Sequence, residues 1–106
     1  MKESYIVVMV TTGTKAEAET IVQKLLDKKL IACGNILGPI SSHFHWLGKI
    51  ENTEEYLVLL KSREDLFEEL TETVKTVHSY DVPEILAFPV VKGSKDYLDW
   101  LGSVLK

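Results

Sequence analysis

The chain alternates between short continuous apolar runs and segments in which apolar residues recur with helical spacing. The run from Tyr5 to Val10 is rich in Ile and Val, and it predicts a strand covered on both faces. The segment Thr14-Lys15-Ala16-Glu17 has the form of a capping box, which indicates the start of a helix. The apolar residues that follow predict an amphipathic helix: Ala18, Ile21, Val22, Leu25 and Leu26.

The middle of the chain predicts two strands joined by a hairpin. Leu30 to Leu37 is apolar and indicates a second strand, which Gly38-Pro39 bends or bulges. Pairing resumes through Ser42 to Trp46, and Leu47-Gly48-Lys49 is the predicted tip of the hairpin. Glu54 to Lys61 is the predicted returning strand.

The last third of the chain predicts a helix, a strand and a final helix. Ser62-Arg63-Glu64-Asp65 is the predicted start of the second helix, and Pro83 marks a new element because proline does not fit inside a helix. Ile85 to Val91 is the predicted fourth strand, and its Pro89 favours an edge position or a bulge. After Gly93-Ser94, a final amphipathic helix carries Tyr97, Leu98, Leu101, Val104 and Leu105.

This order of elements predicts an α+β protein. Two helices on one face of a four-stranded antiparallel sheet form the ferredoxin-like βαββαβ arrangement, here followed by a C-terminal helix. The other face of the sheet needs a cover, because Tyr5 to Val10 and Leu57 to Leu60 are apolar at consecutive positions. Such a face exceeds the apolar patch of an ordinary monomer. We therefore predict a homo-oligomer whose sheets pack together.

Composition excludes several functional classes. The 106 residues suit one domain, 1–106, and the net charge of −4 argues against a nucleic-acid binder. No apolar run approaches the roughly 20 residues of a membrane helix, and Ile6 to Val10 is too short for the core of a signal peptide. Cys33 is the single cysteine, so an intrachain disulfide is impossible and a cytoplasmic location is expected.

The segment from His78 to Ile85 concentrates groups that bind ligands. It holds His78, Tyr80, Asp81 and Glu84 where a helical pattern changes to a strand, so it is either an ordinary turn or a binding cleft. His78 either caps the helix or acts as a ligand or proton carrier. Cys33 is either a small buried hydrophobe or a thiolate ligand for copper or zinc.

Other candidates lie in the predicted hairpin. His43 and His45 are two apart on a strand, so both imidazoles face one side and can chelate an ion or remain solvated. Trp46 is an aromatic anchor, and Lys61 either neutralises an anion or is a solvated strand end. We find no phosphate-binding loop, paired-cysteine motif, His-Glu-x-x-His motif or nucleophile elbow, and therefore do not expect an enzyme.

Five segments together resemble the CutA family of divalent-cation tolerance proteins. They are Lys29 to Ile36, Trp46 to Glu51, Lys61-Ser62, His78 to Ile85 and Tyr97 to Leu101. The resemblance covers nearly the whole chain in the family order. It implies a cytoplasmic, ferredoxin-like homotrimer with packed sheets that binds copper and other divalent ions.

Carried over residue by residue, the resemblance implies a metal site and a cleft between subunits. Cys33 and His78, with Glu84, match the metal ligands, and Lys61, Tyr80, Glu84 and Trp46 match the cleft. Two departures stand out. The cysteine that many relatives carry near the end of the first strand is missing, and His43 and His45 suggest an extra metal site.

The leading hypothesis is thus a trimeric protein that binds Cu²⁺ or Zn²⁺ in cation tolerance or the response to metal ions. The alternative is a signalling module of the PII type, which binds a small anion in the cleft between subunits, where Lys61 would neutralise the charge. A third possibility is a stable scaffold for a partner protein. In each case we expect self-association and no binding to nucleic acid or membrane.

Overall fold

The computed structural model describes residues 4–106, so residues 1–3 of the predicted domain 1–106 lie outside the described residues. The elements are β1 (Tyr5–Thr12), α1 (Lys15–Asp27), β2 (Cys33–Trp46), β3 (Lys49–Arg63), α2 (Phe67–Val77), β4 (Ile85–Pro89) and α3 (Lys95–Val104). A short 3-10 turn, Glu64–Leu66, precedes α2. This is the predicted α+β order, with α3 as the added C-terminal helix. No helix in the described part of the chain is long and apolar enough to span a membrane.

The four strands form one antiparallel sheet in the order β2-β3-β1-β4. Val8 lies between Leu60 on β3 and Ala87 on β4, which sets the register at the centre of the sheet. β4 is at an edge, where Pro89 removes no hydrogen bond from an inner ladder. The predicted edge position of the fourth strand is therefore confirmed.

The core lies between one face of the sheet and the helices α1 and α2. Thr14 caps α1, because its Oγ1 accepts the backbone N–H of Glu17 at 3.1 Å, as the capping pattern predicts. Gly34 allows α1 to approach β2 closely, since a Cβ there would lie 2.9 Å from Val22. The buried apolar residues shared by sheet and helices include Val8, Val10, Ile21, Leu25, Val58, Leu60, Leu70 and Val74.

Several predicted boundaries were wrong. β2 starts at Cys33 instead of Leu30, because the N–H of Leu30 bonds to the carbonyl of Leu25 at the end of α1. β3 begins five residues before the predicted Glu54, because its polar first half pairs with an equally polar arm of β2. Ser62 and Arg63 belong to β3 and not to the second helix, and β4 ends at Pro89 and not at Val91.

The long hairpin of β2 and β3 confirms two local predictions. The pairing register shifts between Leu37 and Ile40, so Gly38-Pro39 does bulge the strand. At the tip, Leu47 and Gly48 both have positive φ, 51° and 78°, as a two-residue type I′ turn requires, whereas Lys49, also predicted for the tip, is the first residue of β3 and pairs with Trp46. The hairpin extends beyond the helices, and the molecule measures 46 × 26 × 22 Å.

The face of the sheet opposite α1 and α2 is only partly covered. α3 crosses one end of this second face, where the Tyr97 hydroxyl lies 3.6 Å from the Cys33 sulfur. Elsewhere the face is apolar and open: Leu86 is 50% exposed and Phe88 48% exposed, and Leu37 is also exposed. Val7, Met9, Leu57 and Leu59 are half-buried on the same face. This surface is the unpaired apolar layer that the sequence indicated.

Leu25→Ala tests the position of the core on α1. Leu25 is fully buried and its neighbour Leu26 is exposed, so the pair compares two faces of one helix. We expect Leu25→Ala to lower the free energy of unfolding by about 2–5 kcal/mol, through lost burial and the cavity left behind. Leu26→Ala should cost about 0.5 kcal/mol, as surface substitutions do. Denaturant unfolding measures both, and equal losses would contradict this core.

Candidate functional site

A groove of about 800 Å³ lies between the outer half of the hairpin and the segment that leads from α2 to β4. Twelve residues line it: Thr11, Ser42, His43, Phe44, Trp46, Glu51, Thr53, Glu55, Tyr80, Asp81, Val82 and Glu84. A second depression of about 630 Å³, beside Tyr5 and Pro89, contains none of the predicted site residues. The groove is therefore the candidate site.

The groove is acidic. Four carboxylates line it, from Glu51, Glu55, Asp81 and Glu84, and no Lys or Arg is among the lining residues of the described chain. Side chains of one sign along a concave surface focus the electrostatic field and raise the local concentration of counter-ions. The groove therefore attracts cations and repels anions.

His78 fixes the start of the segment that forms one wall of the groove. Its backbone N–H ends α2 by bonding to the carbonyl of Val74 at 3.0 Å. Its Nδ1 accepts the N–H of Tyr80 at 3.1 Å, and its Nε2 lies 2.7 Å from the carbonyl oxygen of Thr11. A carbonyl only accepts, so Nε2 carries the proton and donates it. Both ring nitrogens are therefore occupied, which leaves no free lone pair for a metal in this conformation.

The same segment is tied to α1 and β3. The N–H of Ser79 donates to the carboxylate of Glu17 on α1 at 2.9 Å. The Tyr80 hydroxyl donates to Glu55 on β3 at 2.7 Å, and the Tyr80 ring packs on His78 with centroids 4.7 Å apart. Glu55 is only 6% exposed, so this hydrogen bond satisfies a buried carboxylate.

The environment of Tyr80 keeps its phenol protonated at neutral pH. Burial raises the pKa of Tyr80 to about 12, with further contributions from the hydrogen bond to Glu55 and from the negative charges of Glu55 and Glu17. A protonated phenol donates a hydrogen bond and is a poor metal ligand. Tyr80 therefore holds Glu55 in place at the groove wall.

The structure divides the predicted site residues into separate groups. Trp46, Tyr80 and Glu84 line the groove, and His78 lies behind its wall. Cys33 and Lys61 are paired in the β2–β3 register, at the end of the sheet away from the groove. There the Lys61 ammonium donates to Asn35. Lys61 is therefore not part of the groove of its own chain.

Cys33 and His78 do not meet within one chain. Cys33 is aligned with Lys61 and Val7, whereas His78 bonds to Thr11, four residues further along β1 and two strands away from β2. Strand spacing and rise put these positions about 16 Å apart. Across residues 4–106, no three His, Cys, Asp or Glu side chains form a group that could hold a metal ion. The predicted set of Cys33, His78 and Glu84 does not fit one ion within a single chain.

The hairpin also carries His43 and His45. His43 borders the groove, but the register pairs it with Asn52 and pairs His45 with Ile50, while Phe44 and Trp46 alternate to the groove side. Both imidazole side chains therefore share the face of the hairpin away from the groove. This is the same-face arrangement that their spacing predicts.

Sequence reasoning missed three carboxylates of the groove. The sequence pattern includes Asp81 in the segment from His78 to Ile85 but gives it no separate role, and it assigns no role to Glu51 or Glu55. Their signal was present, because Glu51, Thr53 and Glu55 alternate with period two and so lie on one side of β3. The sequence alone could not show that Asp81 and Glu84 come to the same side.

Replacing Tyr80 by Phe tests the hydrogen bond to Glu55. Tyr80 is 36% exposed, so water can partly replace its hydroxyl as the donor to Glu55. We therefore expect a loss of only about 1 kcal/mol in the free energy of unfolding. Because the folded-state pKa is raised from 10.0 to about 12, the stabilisation is full below pH 10 and is lost as the pH rises through 12.

The difference in phenolate absorbance between the native chain and Tyr80→Phe measures this titration directly. Its midpoint should lie at about 12. Glu55→Gln should move the midpoint down without restoring 10, because burial is the largest cause of the shift. A midpoint of 10 in the native chain would contradict the hydrogen bond to a buried carboxylate.

Known proteins share both the sequence and the fold of this chain. The family model described as CutA1 divalent ion tolerance protein matches residues 6–104. A solved divalent cation tolerance protein of Thermus thermophilus is 37% identical, with a TM-score of 0.94 over 96% of this chain and 99% of that chain. A CutA structure from Archaeoglobus fulgidus, titled as periplasmic, is 41% identical, with a TM-score of 0.93 over 96% of this chain and 99% of that one.

A plant relative extends the comparison. The protein named CutA, chloroplastic, of Arabidopsis thaliana is 42% identical over 96 residues, which are 91% of this chain and 53% of that protein. The resemblance seen in the five sequence segments is thus confirmed over almost the whole chain and in three dimensions. The chain belongs to the CutA1 divalent ion tolerance protein family.

Proposed function

We propose that this protein binds divalent cations in its acidic groove, as a homotrimer of single domains, and has no catalytic role. The observation that carries the proposal is the groove with four carboxylates and no Lys or Arg among its described lining residues. Within residues 4–106 of one chain, no three of these side chains converge where they could hold a metal ion. The groove therefore attracts cations by its charge, and a complete coordination shell needs water or a side chain of another subunit. The description of the family as divalent ion tolerance proteins supports the same function.

Copper or zinc remains the cation that we propose, with Glu84 as the ligand placed in the groove. Cys33 and His78 contribute to one site only if they come from different subunits, because about 16 Å separates their positions within a chain. His78 would then exchange one of its two hydrogen bonds, to Thr11 or to Tyr80, for the metal. Assembly is therefore part of the proposal.

The groove does not favour the alternative of a PII-like anion-binding module. Lys61, the cation on which that alternative depends, donates to Asn35 and, like its register partner Cys33, reaches a groove only across subunits. An anion in the groove would meet uncompensated carboxylates. We therefore rank the cation above the anion as the ligand of this groove.

We infer that the protein acts in the cytoplasm, where a single unpaired cysteine stays reduced. The names of similar proteins differ on this point, since one is called chloroplastic and another periplasmic. A cytoplasmic protein that binds copper or zinc would buffer or sense these ions, which fits the word tolerance in the family description.

Phe88→Glu tests the proposed trimer. Phe88 lies on the open apolar face, on the edge strand β4 and aligned with Val7, so a charge there would be buried if sheets pack together. We expect native mass spectrometry to show a trimer for the native chain and monomers for Phe88→Glu. Leu26→Glu, on the outer surface of the helical layer, is the control and should stay trimeric. A trimer in both variants would rule out packing through this face.

Asp81→Asn combined with Glu84→Gln tests the groove as a cation site. The two substitutions keep the side-chain shapes but remove two negative charges, so binding of Cu²⁺ or Zn²⁺ should weaken strongly. At a free cation concentration of about 100 Kd, the native chain should gain about 2.7 kcal/mol of stability. Calorimetry and thermal unfolding measure both effects.

The matched control is Glu68→Gln with Glu72→Gln, which removes the same charge from the exposed side of α2. This control should keep the affinity and the thermal shift of the native chain. Equal weakening in both double variants would mean that net charge, and not the groove, governs binding. Both double variants are made in a chain that carries His43→Ala and His45→Ala, so that the hairpin imidazoles contribute no binding. Unchanged binding in that groove variant would overturn the proposed function.

A further inference from the structure

We propose a second metal site, formed by His43 and His45 on the face of the hairpin away from the groove. It would bind one Cu²⁺ or Zn²⁺ ion through two imidazoles and leave coordination positions open. The site uses none of the carboxylates of the groove, so this proposal can be tested independently of the proposed function.

The geometry of the hairpin places both histidines for chelation. His43 is aligned with Asn52 and His45 with Ile50, so the two side chains leave the same face of a paired strand. Residues two apart on a strand are separated by about 6.6 Å, a distance that two imidazole rings can bridge by tilting towards a shared ion. Strand pairing fixes the backbone at both histidines, so little conformational entropy is lost when an ion binds.

Both imidazoles are free to coordinate. His43 and His45 are exposed, and within residues 4–106 neither ring has a hydrogen bond or an ion pair. His78, the third histidine of the chain, has both ring nitrogens occupied by Thr11 and Tyr80. Of the three histidines, His43 and His45 are therefore the ones whose ring nitrogens are available to a metal ion.

The neighbours of the pair determine the kind of site. Asn52 lies opposite His43, and Glu54, aligned with Ser41, is on the same face one pair further. Because no three metal-binding side chains of the described chain converge, the site has two protein nitrogens, with water completing the shell. Imidazole suits copper and zinc, whereas magnesium and calcium prefer oxygen ligands. We infer an exchangeable site selective for copper and zinc over magnesium and calcium.

Copper titration of the full chain with electron paramagnetic resonance tests the site. The native spectrum should show coupling to two imidazole nitrogens. His43→Ala and His45→Ala should each weaken binding on the order of 10²-fold, because one ligand alone loses the benefit of chelation. The double variant should be little worse than either single variant. If each histidine instead bound its own ion, each single variant would lose one bound ion per chain and the double variant would lose two. That result would overturn the proposal.

Two variants separate chelation from the mere presence of histidine. Exchanging Phe44 and His45 (Phe44→His with His45→Phe) keeps the composition but places the imidazoles on opposite faces, so tight binding should be lost. In the His45→Ala chain, Asn52→His puts a new imidazole directly opposite His43 and should restore binding with two-nitrogen coupling.

The groove serves as the internal control. Asp81→Asn with Glu84→Gln should leave the two-nitrogen signal unchanged, whether or not the groove itself binds a cation. Circular dichroism and native mass spectrometry should show the same fold and oligomer for the histidine variants as for the native chain. A two-nitrogen copper signal that persists in His43→Ala with His45→Ala would show that the site lies elsewhere and would refute the proposal.

Discussion

The pairing register of β3 is the constraint on which the rest of the structure depends. β3 pairs with β1 through its second half and with β2 along nearly its whole length. Side chains alternate along a strand, so this single register assigns every residue of β3 to a face. A slip of one residue would exchange the faces.

The consequences of this alternation run from the core to the site. In the inner half, Val58 and Leu60 enter the core, while Leu57 and Leu59 form the open apolar face. In the outer half, Glu51, Thr53 and Glu55 line the groove. Asn52 and Glu54 accompany the histidine pair on the reverse side. One strand thus contributes to the core, to the open apolar face and to both faces of the outer hairpin, because its inner half is covered by helices and its outer half is not.

The polar residues between α2 and β4 hold this segment in place, and any function of the groove depends on that position. His78 and Tyr80 bind each other, the end of β1 and the buried Glu55, and the N–H of Ser79 is held by Glu17 of α1. The segment has no regular secondary structure, and these bonds hold it in a single position. In that position Asp81 and Glu84 line the groove. His78, for which the sequence left open a helix-capping role or a ligand role, ends α2 and holds the groove wall, and the Tyr80 hydroxyl donates to the buried Glu55.

At Pro89 the sequence left an edge position or a bulge open, and at Gly38-Pro39 a bend or a bulge. By itself it determined the order of elements, the antiparallel α+β sheet and the family. These follow from local periodicity, turn chemistry and motif order, which do not depend on distant partners. It also placed His43 and His45 on one face, since spacing along a strand decides that.

Only the tertiary structure decided which residues meet. It separated Cys33 and Lys61 from the groove, occupied both nitrogens of His78, and brought Glu51 and Glu55 beside Asp81 and Glu84. It also extended β3 through Glu51, Asn52 and Thr53, whose polar side chains gave no apolar signal. The physical reason is that such contacts depend on strand register and on the path of a connecting segment, and both are set by partners remote in sequence.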